Sequence, residues 1–508
     1  MYQFILHIGN IPAALRPVSF DGNGKQWQQW LEFGGFRVAV EHPEQQHLQV
    51  GRQDFFLTGK IDNLTVLAAN AGIAAADSDI VTGFHLLQQN GWEGTRQWKG
   101  AFAVILYDDD TKVLQYSIGN TGLMQAYIHD SPHQVVITTS LKALRNNPLV
   151  ERSMIPIDSY RYAYTKNVAP DFCFLQQFRR VIPGYAYLFD VRSLDVRNHT
   201  AIAIQPIEAI ACNFRQEDAA ERLYELIHAN VQDKIHSNSI GIPVSGGVDS
   251  GLIAALLHQS CQPIHTYTIG TDFGNEYEQA FEVHRHTDSI HQEIHVDTEG
   301  CWEGLLQSVW HNEICDPLYA EGFVGFYHVF KAAQSSVTQI FTGYGADLIL
   351  GDFLQIEDRS NINAFSEYWC RRAAWTGEMS PFLAESFGLN IQHPFWETEL
   401  IQFSLSIPYA YKYRGQEVKA LLREMSVNKK ILPHDIAWRK KNAFTTGASL
   451  DQLFSHTLGI PHDKTYRFKS IFLYYLFECL FVKDEMLRDI DFQQLITKTN
   501  NYVRQHLA

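Results

Sequence analysis

The string Val244-Ser245-Gly246-Gly247-Val248-Asp249-Ser250 stands between the apolar run Ile240 to Val244 and the run Gly251-Leu252-Ile253-Ala254-Ala255-Leu256-Leu257. It demands a strand, a tight turn and an amphipathic helix in immediate succession. Two glycines at a strand-to-helix turn let backbone N–H groups converge on an anion, and the helix N-terminus adds positive potential there. Ser245 and Ser250 bring hydroxyl donors. Asp249 is acidic where phosphate would bind, which makes sense with Mg²⁺ between them. The string lacks the Gly-Lys-Ser/Thr ending of the P-loop, so γ-phosphate transfer is not the expected chemistry.

The flanking sequence has the rhythm such a turn requires. From Gln216, Ala219, Leu223, Leu226 and Ile227 recur at helical spacing. Strand-like runs at Ile240 to Val244, His265 to Ile269, Ile294 to Val296 and Gln339 to Thr342 then alternate with helical runs at Gly251 to Gln259 and Glu276 to His286. That alternation predicts an α/β domain, a parallel sheet with helices on both faces. From about Asn361 the pattern is mostly helical. Up to about residue 205, by contrast, Phe55 to Lys60, Ala101 to Tyr107, Val135 to Thr138 and Tyr185 to Phe189 read as short strands between turns. They predict an α+β domain built as an antiparallel sandwich, with Asp108-Asp109-Asp110 as a hairpin turn and not a metal site. The expected division is 1–208 and 209–508.

Of 508 residues, 45% are hydrophobic and 19% charged, enough core for two domains and too apolar for disorder. With 41 Lys+Arg against 56 Asp+Glu the net charge is −15, which repels phosphate polymers and anionic bilayers, so neither nucleic acid nor membrane is an expected partner. The longest apolar stretch, Ile471 to Val482, is interrupted by Glu478 and falls short of the roughly 20 residues of a membrane helix. Met1 to Ile8 reads as a first strand and not as an export signal, and a cytoplasmic location is expected. Cys173, Cys212, Cys261, Cys301, Cys315, Cys370 and Cys479 are scattered, with no C-x-x-C pair, and read as reduced thiols. His291, Glu293 and His295 alternate on one strand face with no further ligand evident, and read as structural or surface residues.

The glycine string resembles the signature of ATP pyrophosphatases, which split ATP between the α and β phosphates and transfer AMP to a carboxyl or carbonyl oxygen. Thr266-Tyr267-Thr268-Ile269-Gly270 with Asn275-Glu276-Tyr277-Glu278, then Phe341-Thr342-Gly343-Tyr344-Gly345-Ala346-Asp347, His393-Pro394-Phe395-Trp396, Trp438-Arg439-Lys440-Lys441 and Gly447, follow in the order of the class B, glutamine-dependent asparagine synthetases. Lys99-Gly100-Ala101-Phe102-Ala103 and Thr139-Ser140-Leu141-Lys142-Ala143-Leu144 resemble their amidotransferase half, so the resemblance covers nearly the whole chain. It implies ATP and Mg²⁺ as cofactors and a homo-oligomer, dimer or tetramer. Val244, Ser245, Gly246, Gly247, Asp249, Ser250, Ile269 and Gly343 would meet the nucleotide, Asp249 and Asp347 the metal, and Lys419 the pyrophosphate.

Two departures matter. Glutamine hydrolysis in that family uses a cysteine at the N-terminus after Met removal; position 2 is Tyr2, and no cysteine precedes Cys173. Residues 1–208 are therefore expected to be an inactive, Ntn-hydrolase-like glutamine amidotransferase domain, and the amine to come from elsewhere. Asparagine synthetases also carry Glu where this chain has Tyr344, and lasso-peptide cyclases carry His. Tyr344 resembles the β-lactam synthetases, above all their carbapenam synthetase branch, with further matches at Asn312-Glu313-Ile314, Ala320-Glu321, Trp375-Thr376-Gly377-Glu378, Glu417-Val418-Lys419, Leu422-Arg423-Glu424 and Asp435-Ile436-Ala437-Trp438-Arg439-Lys440-Lys441.

The resemblance implies adenylation of a carboxylate in a β-amino-acid-type substrate and ring closure by that substrate's own amine, in antibiotic or toxin biosynthesis. Tyr344 would take the amine's proton, oriented by Glu378, because a phenol of pKa about 10 is a poor base without a carboxylate partner. Lys441 would stabilise the oxyanion, its neighbours Arg439 and Lys440 reading as a solvated basic turn. Tyr319 to Tyr327, with Glu321, would wall the pocket. The alternatives are an intermolecular amide ligase and an ammonia-dependent enzyme like asparagine synthetase, distinguished by product mass.

Overall fold

The computed structural model describes residues 4–9, 29–33, 36–40, 46–74, 78–131, 134–145, 147, 149–163, 171–192, 200–203, 209, 214–352, 359–440, 447–460 and 465–506. Tyr2, Cys212, Lys441 and the stretch around residue 208 lie outside these residues. The chain forms two compact units. One comprises Met1–Pro206 together with Ala373–Ser380 and Ser470–Ala508; the other comprises Ile207–Arg372 and Pro381–Lys469.

The first unit holds two six-stranded sheets whose strand pairs are all antiparallel. Period-two alternation in strands Gln53–Ile61 and Gly100–Asp108 explains its layers. Phe55, Leu57, Ile61, Phe102, Val104 and Leu106 share one face and bury it against Leu64 and Leu67 of helix Leu64–Asn70 and Ile80, Phe84 and Leu87 of helix Asp79–Gly94. Each such side chain contributes about 1.5–3 kcal/mol on burial. The opposite face meets the other sheet, with Phe33 5.7 Å from Phe56 and Phe36 4.5 Å from Tyr107 between ring centroids. Asp108 makes the expected turn, its Oδ1 accepting from the backbone N–H groups of Asp110 and Thr111. The segment after Ser470 is tied to this unit by Arg152, whose two terminal nitrogens each donate to Asp484 at 2.7 Å.

In the second unit five strands run parallel in the spatial order Ile290–Val296, His265–Thr271, Ile240–Pro243, Gln339–Phe341, Asn390–Gln392, with the short strand Gly274–Asn275 antiparallel to His265–Thr271. The chain winds outward from Ile240–Pro243 in one direction, then returns to add Gln339–Phe341 on its other side. That reversal is a topological switch point, and the carboxyl ends of those two neighbouring strands open onto one crevice. The mixed α/β architecture expected from the sequence is therefore present. One detail differs: helix Val248–Ser260 is not amphipathic in use, being buried without interruption from Ser250 to Leu257. Helices Gln216–Asp233, Tyr277–Thr287, Ala420–Asn428 and His434–Ala437 enclose it, and an all-round apolar helix is stable in such surroundings.

Among the described residues no helix is long and apolar enough to cross a membrane. The apolar run from Ile471 falls in helix Thr465–Phe481, where Ile471, Phe472, Leu473, Leu476, Phe477, Leu480 and Phe481 are all buried. None of the described cysteines is in a disulfide.

Candidate active site

The glycine turn begins where strand Ile240–Pro243 ends. Val244 is fixed from both sides, its N–H donating to Tyr267 O at 2.8 Å and its carbonyl accepting from the Thr268 hydroxyl at 2.9 Å. Both partners belong to strand His265–Thr271, which also carries the buried Ile269. Gly246 has φ +72°, a region glycine occupies without strain. Gly247 is the N-cap of helix Val248–Ser260, and no side chain caps that end. Ser250 Oγ accepts from the Ser245 N–H at 3.3 Å, which closes the turn on itself. Asp249 lies in the first helical turn, where the macrodipole favours a carboxylate.

Arg439 holds this turn from outside. It donates through Nη1 to Ser245 O at 2.8 Å and through Nη2 to Glu276 Oε1 at 2.5 Å. A Cβ at Gly246 would run into the Arg439 guanidinium and Gln279 O, and one at Gly447 would run into the Glu276 carboxylate. Burial pushes the Arg439 guanidinium down, with Glu276 pulling it back up. The expectation that Arg439 is a solvated neighbour of Lys441 is thus corrected: its side chain is only 19% exposed and is occupied in shaping the cradle. Lys440 is exposed. The sequence quoted Glu276 in a motif, but no local signal indicates a partner 163 positions away.

The second loop leaves the adjacent strand Gln339–Phe341 as Thr342-Gly343-Tyr344-Gly345 and enters helix Ala346–Leu350, which bears Asp347. Gly343 packs directly on the first loop, so that a Cβ there would stand 2.7 Å from Ser250 N and 2.9 Å from Asp249 C. This contact brings the two acidic residues together. Lys419 Nζ donates to Asp249 Oδ2 at 2.5 Å and to Asp347 Oδ1, and lies 3.4 Å from Asp352 Oδ2. The carboxylates of Asp249 and Asp347 therefore already converge on one positive charge. Two hard oxygen donors on a shared cationic point fit Mg²⁺, which takes one or two protein carboxylates and fills its remaining positions with phosphate and water. Asp352 was not foreseen from the sequence.

The Asp347 helix is anchored at its far end by Lys412, whose Nζ donates to Ile349 O at 3.1 Å and to Asn363 Oδ1 at 2.8 Å. Complete burial pushes the Lys412 ammonium down to about 7 from 10.5. Between those values the unfolded chain holds more protons than the folded one, so this group makes stability rise with pH from about 7 upward. Lys412→Met removes that contribution. From pH 7 to about 9 the parent's unfolding free energy should gain about 2 kcal/mol on the variant's, read from paired denaturant titrations. A constant difference between the two proteins across that range would show that Lys412 does not titrate there.

Tyr344 is half-buried, with the rings of Phe326 and His393 each 6.2 Å away between centroids. Its N–H donates to Thr342 Oγ1 at 3.3 Å, and Thr342 Oγ1 shares a 2.7 Å hydrogen bond with His393 Nδ1. In the foreseen wall segment, which forms part of helix Pro317–Ala333, Phe326 meets Tyr344. Glu321 is instead paired with Lys469 Nζ at 2.5 Å, and burial pushes its carboxyl up to about 7. Glu378 is buried in the first unit, where its Oε2 accepts from the Thr376 hydroxyl at 3.3 Å. Lys441 lies outside the described residues. Of the histidines on strand Ile290–Val296, His291 hydrogen-bonds Thr266 at 2.9 Å and His295 pairs with Asp272 at 3.2 Å.

The asparagine synthase family profile matches residues 222–385 and 382–472. Carboxyethyl-arginine beta-lactam-synthase of Streptomyces clavuligerus is 28% identical over 240 residues, 47% of this chain and 46% of that protein, so the chain spans about half the length of this relative. A glutamine-hydrolyzing asparagine synthetase of Bos taurus is 24% identical over 73% of this chain and 67% of its own. Asparagine synthetase B of Escherichia coli is 21% identical over 77% and 69%. The glycine cradle, the Asp347 loop and Lys419 all fall inside the segment matched by the profile, and the chain belongs to the asparagine synthase family, with a β-lactam synthetase among its relatives.

Proposed function

We propose that this chain is an ATP- and Mg²⁺-dependent synthetase that adenylates a substrate carboxylate and closes an intramolecular amide, a β-lactam, by attack of the substrate's own amine. The observation that carries the reading is the convergence of Asp249 and Asp347 on one cationic point beside a Gly-Gly turn, at the switch point of a parallel sheet. The similarity to a β-lactam synthase of Streptomyces clavuligerus, and Tyr344 in place of Glu, favour ring closure over ammonia transfer. Such chemistry fits antibiotic or toxin biosynthesis, with residues 1–208 as an amidotransferase-like domain without its nucleophile.

In this reading the N–H groups of the Ser245–Gly247 turn and the N-terminus of helix Val248–Ser260 bind the phosphates. A substrate carboxylate oxygen attacks the α-phosphorus, and pyrophosphate leaves. Asp249 and Asp347 would hold Mg²⁺, which would supply neutralisation of the charge on the departing group. The amine nitrogen then attacks the acyl carbon and its proton passes to the Tyr344 oxygen as the phenol hands its own proton to a carboxylate, the part the family resemblance gives Glu378, and AMP departs with the former carboxylate oxygen. Phe326 and His393 restrict the Tyr344 ring. Closing a strained ring needs nitrogen and acyl carbon held at about 3–3.5 Å in one orientation. The orienting role of Glu378 and the oxyanion role of Lys441 rest on the family resemblance.

Incubation with ATP, Mg²⁺ and β-amino acids should release pyrophosphate one-for-one with a product lighter than its substrate by one water. Tyr344→Phe should keep substrate-dependent exchange of pyrophosphate into ATP within a few-fold while ring closure falls by about 10²–10⁴. Unchanged ring closure in Tyr344→Phe would remove the phenol from the mechanism. A product mass that contains added ammonia or a second amine would replace the lactam synthetase by an intermolecular ligase.

A further inference from the structure

Lys419 differs from an ordinary phosphate-reaching lysine in three respects. Its side chain is fully buried. Its ammonium sits among three carboxylates drawn from two separate loops, those of Asp249, Asp347 and Asp352. Its backbone is left-handed, φ +56°, at the N-cap of helix Ala420–Asn428, where its own side chain makes no cap. A non-glycine residue in that region is strained. The strain points the long side chain inward to a place that no β-strand or helical spacing would select. Without a cation there, Asp249 and Asp347 would face each other as like charges and repel.

We infer that Lys419 is the resident counter-ion of the Asp249–Asp347 pair, displaced by the divalent metal when metal and nucleotide load together, after which its ammonium turns to the phosphates. This rests on the synthetase reading above. The consequence is an ordered loading: a bare metal ion must displace a buried ammonium from two carboxylates and leave it only Asp352, 3.4 Å away, whereas a metal–nucleotide complex brings the phosphates as new partners. The pair is thereby kept correctly spaced, yet weak toward metal alone.

Mn²⁺ without nucleotide is the probe, titrated into the full chain and followed by the paramagnetic resonance of the free ion. Lys419→Met should bind Mn²⁺ about tenfold or more tightly than the parent, because a unit charge a few ångströms from the ligands has been removed. Equal or weaker binding by a folded Lys419→Met overturns the inference. A second measurement needs no variant: acetic anhydride labelling read by mass spectrometry should find Lys419 protected in the parent alone and several-fold more reactive at saturating Mn²⁺. Continued protection with Mn²⁺ bound overturns the inference as well. Loss of the synthetase reading would show separately, as failure to release pyrophosphate with any substrate, and leaves both Mn²⁺ readouts in force.

Discussion

Gly343→Ala is expected to lower substrate-dependent pyrophosphate release by about a hundredfold or more, the scale on which an ångström of misplacement acts in a preorganised site. The added methyl carbon would lie 2.7 Å from Ser250 N, 2.9 Å from Asp249 C and 3.0 Å from Ser250 Cα. All three are backbone atoms of the first helical turn, so no flexible side chain can yield. The two loops must part. Parting them separates Asp249 from Asp347, Tyr344 from the cradle, and the Lys419 ammonium from at least one carboxylate. The overpacking should also cost about 1–3 kcal/mol of stability, visible as a lower melting midpoint in a protein that still folds. Parental activity together with a parental melting midpoint would mean that the loops do not pack backbone to backbone.

The sequence made the parts legible where the signal is local. Ser245-Gly246-Gly247 marks its own turn, because only small residues permit the φ of Gly246 and the approach of N–H groups. The strands at Phe55 to Lys60 and Ala101 to Tyr107 mark themselves as short apolar and aromatic runs between turns, because both of their faces are buried. The adjacency of strands Ile240–Pro243 and Gln339–Phe341 is different in kind, since it depends on a crossover that returns past the starting strand, and residue spacing carries no information on it. The long cationic side chains were misjudged or only partly read for a related reason. Arg439 reaches Ser245 O and Glu276, and Lys419 reaches Asp249 and Asp347, across 72 to 194 positions of chain. A lysine or arginine in a basic or mixed stretch has the same local pattern whether it faces solvent or closes a buried cluster. Only the fold separates the two.

Asp249→Asn should reduce pyrophosphate release by on the order of a thousandfold while preserving the shape of the site, because the amide keeps an oxygen of similar position but loses the charge that a divalent ion requires. A variant within tenfold of the parent would remove Asp249 from the metal site. The same substitution has an effect on stability whose sign depends on Lys419. Depriving a fully buried ammonium of a carboxylate can cost about 3–5 kcal/mol when nothing else compensates. Here Asp347 and Asp352 remain, and Asp347 is 45% exposed, so a loss of about 1–2 kcal/mol is the expected share. In the Lys419→Met background there is no ammonium to strand, and Asp249→Asn then relieves repulsion between like charges instead of breaking a pair. A double-mutant cycle on melting should therefore show coupling of about 1 kcal/mol or more, with Asp249→Asn costing less, or even stabilising, once Lys419 is gone. Additive effects would mean that the ammonium and the carboxylate share a place in the structure without sharing energy, and that the acidic pair keeps its spacing by packing alone.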